Sequence, residues 1–300
     1  MFIYVIFVVF VISDNKVMNI DNIKQLLKKY NLSPNFTYGQ NFLIDDDVLN
    51  NIVNTAKVTS IDQILEIGPG IGNLTEKLLA TGAKVFSIEK DPKFLPIFKA
   101  LQKKYPNFEF TIEDFLNFDL LAFSNNLPQV AGRYKAVANI PYYITGKILR
   151  KFFNAAKKPA EIVLLTQKEV AKNVIAKAGH MSLLGISVQL YGKPEIIKIV
   201  NRESFYPAPK VDSAIIKIEI FKKQKYKISE EQKFFKVVKA CFLGKRKQIH
   251  NTLVNNLRLE KQQVEEILKK LNINFKSRPQ ELSVEDWIKL SDMIDRNNRD

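Results

Sequence analysis

Glu66-Ile67-Gly68-Pro69-Gly70-Ile71-Gly72-Asn73-Leu74-Thr75 is the stretch whose reading decides the fold. It follows the apolar Ile64 and Leu65 and leads into an amphipathic run at Leu74, Lys77, Leu78 and Leu79. Strand, glycine turn, helix is the grammar of a nucleotide-type cofactor site at the carboxyl edge of a parallel sheet. Glycines let the backbone pass close to a ligand where a Cβ would collide. A Gly-rich turn after a strand is also ordinary structural punctuation, so the neighbouring strands must decide.

Lys84-Val85-Phe86-Ser87-Ile88-Glu89 is a strand-like run ending in an acid about twenty residues after the turn, where a ribose-binding carboxylate belongs. Asn107-Phe108-Glu109-Phe110-Thr111-Ile112 reads as a third strand and runs into Glu113 and Asp114. Tyr134-Lys135-Ala136-Val137-Ala138 reads as a fourth and leads into Asn139-Ile140-Pro141-Tyr142. Four successive strand ends thus carry Gly, Glu, Asp and Asn on the edge where open α/β sheets bind ligands. A dehydrogenase explains the first two. It does not explain Asn-Ile-Pro-Tyr.

The wider pattern predicts strands near 63–67, 84–89, 107–113, 134–139, 161–166, 195–200 and 212–220, most of them alternating with helical segments. That alternation is the signature of a doubly wound α/β sheet. The last two strands follow one another across 201–211 with no room for a crossover helix, which implies an antiparallel hairpin. After Ile220 the pattern changes. A charged link, 222–227, leads into helical spacing at Phe234, Phe235, Val238 and Phe242, then Ile249, Leu253 and Leu257, then Val264, Ile267, Leu268 and Leu271. Trp287, Ile288 and Leu290 close a small all-helical domain.

Three hundred residues, 46% of them hydrophobic, suffice for one larger domain and a smaller one. The single cysteine, Cys241, excludes an internal disulfide, and two histidines give no metal cluster. A formal charge of +15 points to a polyanionic partner. Residues 222–278 hold 16 Lys and Arg against 5 Asp and Glu, so most of the excess falls in the helical part. Lys245-Arg246-Lys247, trailed by Gln248, His250 and Asn251, is suited to tracking phosphates. The competing reading is the solvated face of a lysine-rich protein. Residues 2–12 are almost wholly apolar but too short to span a bilayer. They lack the basic flank and cleavage site of a signal peptide. The expectation is a fold that starts near Met18, with 1–17 as an extension outside it; a membrane anchor is the alternative.

Several motifs together resemble the rRNA adenine-N6 dimethyltransferases. Asn139-Ile140-Pro141-Tyr142 is similar to the Asn/Asp/Ser-Pro-Pro-Tyr/Phe motif of amino-methyltransferases that use S-adenosyl-L-methionine (SAM). Gly39-Gln40-Asn41-Phe42-Leu43-Ile44-Asp45 resembles the family's N-terminal cofactor segment. Phe205-Tyr206-Pro207-Ala208-Pro209-Lys210-Val211-Asp212-Ser213 resembles its target-base loop, and Arg278-Pro279-Gln280-Glu281-Leu282-Ser283 its C-terminal signature. The motifs run in the family's order from about Ile20 to Trp287. Gly-Pro-Gly, the Tyr142-Tyr143 pair and the C-terminal signature favour the small-subunit (16S), KsgA/RsmA-like branch. That branch dimethylates two adjacent adenines in a hairpin near the 3′ end of small-subunit rRNA during subunit maturation. The alternatives are the large-subunit antibiotic-resistance branch and a non-catalytic RNA-binding assembly factor on the same scaffold.

The resemblance implies a Rossmann-like SAM-dependent methyltransferase sheet of seven strands, the last antiparallel, over 18–221, and an rRNA-binding helical domain over 222–300. It implies a cytoplasmic protein, a monomer, acting on the pre-30S particle with no stable membrane partner and no metal. It places the cofactor against Asn41, Leu43, Gly68, Gly70, Glu89, Asp114 and Asn139. Glu89 would accept the ribose hydroxyls and Asp114 the adenine amine, with Asp91 and Asp119 as competitors lying past their strand ends. Glu66 is a candidate for the methionine amino group or for a supporting role. The Asn139 side chain and the Ile140 carbonyl would accept the two N6 hydrogens, Pro141 would fix the backbone, and Tyr142 and Phe205 would sandwich the adenine. Lys210, Lys245, Arg246 and Lys247 are the RNA-contact candidates. Two departures stand out: Asn35-Phe36-Thr37-Tyr38 replaces the family's basic residues, and Lys245-Arg246-Lys247-Gln248-Ile249 replaces an Arg-Arg-Lys-Thr-Leu-like run.

Overall fold

The apolar runs assemble into one sheet whose central strands are buried on both faces. The structure, a computed structural model, describes residues 20–35, 39–127, 133–223, 225–226, 228 and 230–297. The 1–17 extension and most of the Asn35–Tyr38 departure therefore lie outside the described residues. The strands are β1 (Phe42–Leu43), β2 (Gln63–Ile67), β3 (Lys84–Glu89), β4 (Phe108–Ile112), β5 (Lys135–Asn139), β6 (Glu161–Gln167), β7 (Gly192–Val200), β8 (Phe205–Tyr206) and β9 (Ser213–Ile220). Seven of them form a sheet in the order β4-β3-β2-β5-β6-β9-β7. β2 pairs in parallel with β3, Ile67 opposite Ile88, and with β5, Ile67 opposite Ala138. β4 and β6 extend the parallel set on either side. β9 runs antiparallel to β7, as the short connection predicts, and also to β6. This is the Rossmann-like methyltransferase arrangement.

Side chains on β6 show how the layers form. Val163 and Leu165 face one core, and Ile162 and Leu164 the other, as the two-residue period of a strand requires. The first core is closed by α1 (Ile20–Lys29), α2 (Asp46–Thr55), α3 (Asn73–Leu79) and α4 (Leu95–Lys104), through Ile23, Leu49, Leu78 and Phe98. On the opposite face lie α5 (Leu120–Asn125), α6 (Thr145–Asn154) and α7 (Lys168–Ile175), through Leu120, Phe152 and Val174.

A third core belongs to α8 (Leu183–Tyr191), α9 (Glu231–Phe242), α10 (Ile249–Leu257), α11 (Lys261–Lys270) and α12 (Val284–Asn297). Helix α8 serves two cores at once: Val188 packs with the sheet, Ile186 and Leu190 with the helical bundle. The amides of Gly179 and Met181 both donate to the Gln280 carbonyl, each at 3.0 Å, tying the α7–α8 connection to the C-terminal signature.

Two features depart from the sequence reading. β7 begins at Gly192 and includes Pro194, tolerated because β7 is the sheet's edge strand. A two-residue antiparallel ladder joins β1 to β8, Leu43 opposite Phe205 and Phe42 opposite Tyr206. It clips the N-terminal segment to the target-base loop. Among the described residues no helix is long and apolar enough to cross a membrane.

Trp287 is fully buried in the third core, its ring 5.8 Å from that of Phe242. Trp287→Ala is expected to destabilise the protein by about 3–5 kcal/mol, the cost of emptying an aromatic core site. Urea denaturation checks this, and a loss below about 1 kcal/mol would mean that the bundle does not depend on the indole.

Candidate active site

The glycine turn takes its shape from three positive backbone angles: φ is +68° at Gly68, +55° at Gly70 and +84° at Gly72. L-residues with a Cβ are strained there. A Cβ on Gly70 would also lie 3.4 Å from the Phe42 ring. The turn aims the Gly70 amide at Glu89, whose Oε2 accepts it at 3.1 Å while Oε1 accepts the Asp91 amide at 2.9 Å. Glu89 is buried, and burial pushes its carboxyl up despite these hydrogen bonds.

Glu66 is the deeper acid, 1% exposed. Its Oε2 accepts the hydroxyls of Thr75 (2.8 Å) and Ser87 (2.7 Å), while Oε1 has no partner. Asn73 is similar: its Nδ2 donates to the Leu43 carbonyl at 2.8 Å and its buried Oδ1 has no partner. Both residues line one cavity at the carboxyl edge of the sheet. Two orphaned acceptors in one cavity fit a ligand that brings N–H donors, and the methionine ammonium of SAM is such a group.

The cofactor candidates Asn41, Leu43, Gly68, Gly70, Glu89 and Asp114 all line this cavity. Asn139, Ile140, Pro141 and Phe205 line it as well. A Cβ on Gly68 would be 3.7 Å from the Asn139 carbonyl oxygen, so the turn and the Asn-Ile-Pro-Tyr motif abut. Asp114 accepts the Leu116 amide at 2.9 Å and pairs with Lys90 at 2.9 Å. Burial acts to raise its carboxyl, but the Leu116 amide and Lys90 outweigh it and hold the group below its usual range. Phe205 is 3% exposed and packed in the first core as well as lining the cavity. Tyr142 opens a short 3-10 turn, Tyr142–Ile144; its side chain lies outside the described residues.

The competing acids have other partners. Asp91 accepts the Gln40 side-chain amide at 3.0 Å, fastening the N-terminal segment, and Asp119 caps α5. Lys210 is exposed in a separate cleft with Lys168, Lys172 and Arg202. Lys245, Arg246 and Lys247 are exposed in the turn between α9 and α10, in the helical region. Sequence reasoning gave no role to Gln40 or Asn73, the two side chains that hold the N-terminal segment over the turn. Asn73 sits inside the glycine stretch itself, and a polar residue on the buried side of a helix start was the available signal.

Known proteins bear on this geometry. The family model described as ribosomal RNA adenine dimethylase matches residues 31–296. The chain is 39% identical over 270 residues to the ribosomal RNA small subunit methyltransferase A of Dehalococcoides mccartyi (strain CBDB1), covering 89% of this chain and 90% of that protein. It is 38% identical over 273 residues to the protein of that name from Clostridioides difficile (strain 630), covering 90% and 94%. Among solved structures it resembles a dimethyladenosine transferase from Plasmodium falciparum, with a TM-score of 0.71, 27% identity, and coverage of 86% and 98%. It also resembles the 23S rRNA methyltransferase ErmE, with a TM-score of 0.66, 26% identity, and coverage of 85% and 100%.

The Glu66 carboxyl is pushed up from 4.5 to about 7, first by burial, against the Ser87 and Thr75 hydroxyls. A folded value above the unfolded one means that the fold prefers the protonated acid. Its contribution is complete below pH 4.5 and is lost as pH rises through about 7. The difference is on the order of 3 kcal/mol. Glu66→Gln should therefore gain stability relative to the parent as pH rises from 5 to 8, read by urea denaturation without ligand. Parallel pH profiles for the two proteins would remove the buried acid from this account.

Proposed function

This chain belongs to the ribosomal RNA adenine dimethylase family, and from that premise we infer that it dimethylates N6 of two adjacent adenines near the 3′ end of small-subunit rRNA. It is a SAM-dependent rRNA adenine dimethyltransferase. SAM supplies a methyl group on a sulfonium, ready for in-line displacement by the adenine amine.

The protein's own task is positional. The N6 lone pair is delocalised into the ring, so the amine must be held close and made more tetrahedral. The Asn139 side-chain oxygen and the Ile140 carbonyl accept its two hydrogens. Pro141 locks φ at this point of the chain. An amine that has just gained a methyl is cationic and sheds a proton readily, so no strong base is needed. The adenine leaves its stack, as base-modifying enzymes require, and Phe205 and Tyr142 receive its faces. Base–aromatic stacking contributes roughly 1–3 kcal/mol. The observation that supports this reading is the closeness of turn and motif: a Cβ on Gly68 would lie 3.7 Å from the Asn139 carbonyl oxygen, and both residues line one cavity.

The cofactor is held by Gly68 and Gly70 along its methionine and ribose, by Glu89 at the ribose hydroxyls, and by Asp114 at the adenine amine. Asn41 and Leu43 close the site from the N-terminal side. Residues 18–221 carry the chemistry and 222–300 the docking to rRNA in the pre-30S particle, with Lys245, Arg246 and Lys247 on phosphates and Lys210 adding a phosphate contact from the first domain. The protein works as a cytoplasmic monomer.

Asn139→Ala should keep SAM affinity within about tenfold while lowering turnover by roughly two orders of magnitude or more. Primer extension across both adenines, on small subunits taken from cells lacking this protein, reads the modification. Near-normal dimethylation by the folded variant would reject the role given to Asn139.

A further inference from the structure

Leu243 is 86% exposed, the most exposed large apolar side chain among the described residues. Single exposed apolar residues are ordinary on protein surfaces. This one differs in its setting. It caps α9 and opens the turn that carries Lys245, Arg246 and Lys247. The turn is held by backbone bonds: Leu243 N to the Lys239 carbonyl (3.1 Å), Gly244 N to Cys241 (3.0 Å) and Lys247 N to Gly244 (2.7 Å). It packs on α10 through its glycine, since a Cβ on Gly244 would lie 3.0 Å from the Thr252 methyl. Asn256 Nδ2 adds a bond to the Ala240 carbonyl at 2.7 Å. A fixed turn seated by Gly244 leaves the neighbouring leucine outside, where the fold gains nothing from it.

A second loop shares this end of the bundle. The Ile249 amide donates to the Ser277 carbonyl at 2.6 Å, bringing residues 274–278 beside the first turn. That loop exposes Phe275 (40%) next to Lys276 and Arg278. Among the described residues none of Lys245, Arg246, Lys247, Lys276 and Arg278 forms an ion pair. Apolar side chains set among unpaired cations on two joined loops match the alternation of a nucleic-acid groove: sugar and base edges within, phosphates along the rims.

We infer that Leu243 is an apolar contact to small-subunit rRNA, packing on the sugars of a helical minor groove while the flanking cations take the phosphates. The minor groove of A-form RNA is wide and shallow, and it presents ribose surface to whatever docks there. Leucine is among the apolar side chains that minor-groove DNA-binding proteins place in their groove. The inference rests on the proposed docking through the helical domain and assigns it an interaction that charge alone does not supply.

Such an apolar interaction differs from a phosphate contact in its response to salt. Leu243→Ser should weaken binding to purified small subunits about tenfold, as loss of a buried leucine side chain would, with the slope of log affinity against log salt unchanged. Replacing Lys245, Arg246 and Lys247 with Gln should instead flatten the slope by about one unit for each phosphate no longer neutralised. Leu243→Met should restore most of the affinity, and SAM binding and thermal stability should stay at parental values in the Leu243 variants. If the Gln variant behaves as stated while Leu243→Ser binds normally, the docking surface stands and the role of the leucine is overturned. If neither set changes binding, docking through the helical domain falls as well.

Discussion

Two carboxylates buried at the carboxyl edge of the sheet, Glu66 and Glu89, constrain everything built around them. A buried acid is costly unless hydrogen bonds compensate it. Thr75 and Ser87 serve Glu66, and the Gly70 and Asp91 amides serve Glu89. To present the Gly70 amide to Glu89, the chain passes through positive φ at Gly68, Gly70 and Gly72. The glycine turn and the acid at the next strand end are therefore one device. Asp91, held by the turn after that strand, extends it by gripping Gln40 and hence the N-terminal segment.

That device makes an acidic pocket inside a chain of net charge +15. The contrast sorts the two ligands. Under the proposed function, a cofactor bearing a sulfonium and an ammonium would favour the charged forms of Glu66 and Glu89, whose carboxyls burial has pushed up. A polyanion is repelled there and attracted to the exposed cations elsewhere. Under the proposed function, the uncharged target base is the part of the RNA that would enter the acidic cavity. Stacking and hydrogen bonds, not charge, must hold it.

Long-period features were legible in the sequence, and short or shared ones were not. The seven sheet strands announce themselves by apolar runs with turn residues between, and the antiparallel position of β9 follows from the short 201–211 connection. The pairing of β1 with β8 has no such signal. Two residues cannot show a period, and the partners lie far apart in the chain. The same limit hid Gln40 and Asn73, whose roles depend on a tertiary approach that no local pattern records. The strand expected near 195–200 begins earlier, at Gly192, and takes in Pro194, which an edge strand tolerates because one of its sides has no neighbouring strand. In α8, apolar residues all round the helix are explained by its two cores.

The likeness to ErmE and to the Plasmodium falciparum protein is of similar strength, with TM-scores of 0.66 and 0.71. One of these is by name a 23S rRNA methyltransferase. A shared fold therefore does not choose the rRNA; relatives at 38–39% identity bear the small-subunit name, and that similarity favours the small-subunit target. Selection must lie outside the cavity, in surfaces that align one adenine and not another. The proposed docking through the helical bundle would suit this, because the bundle is tied to the sheet: α8 is packed into both cores, and Gln280 receives two amides from the α7–α8 connection. A docking surface so tied to the sheet would convert a position on the RNA into a position of the amine, and orientation of that kind is the main contribution an enzyme can make when its nucleophile is weak.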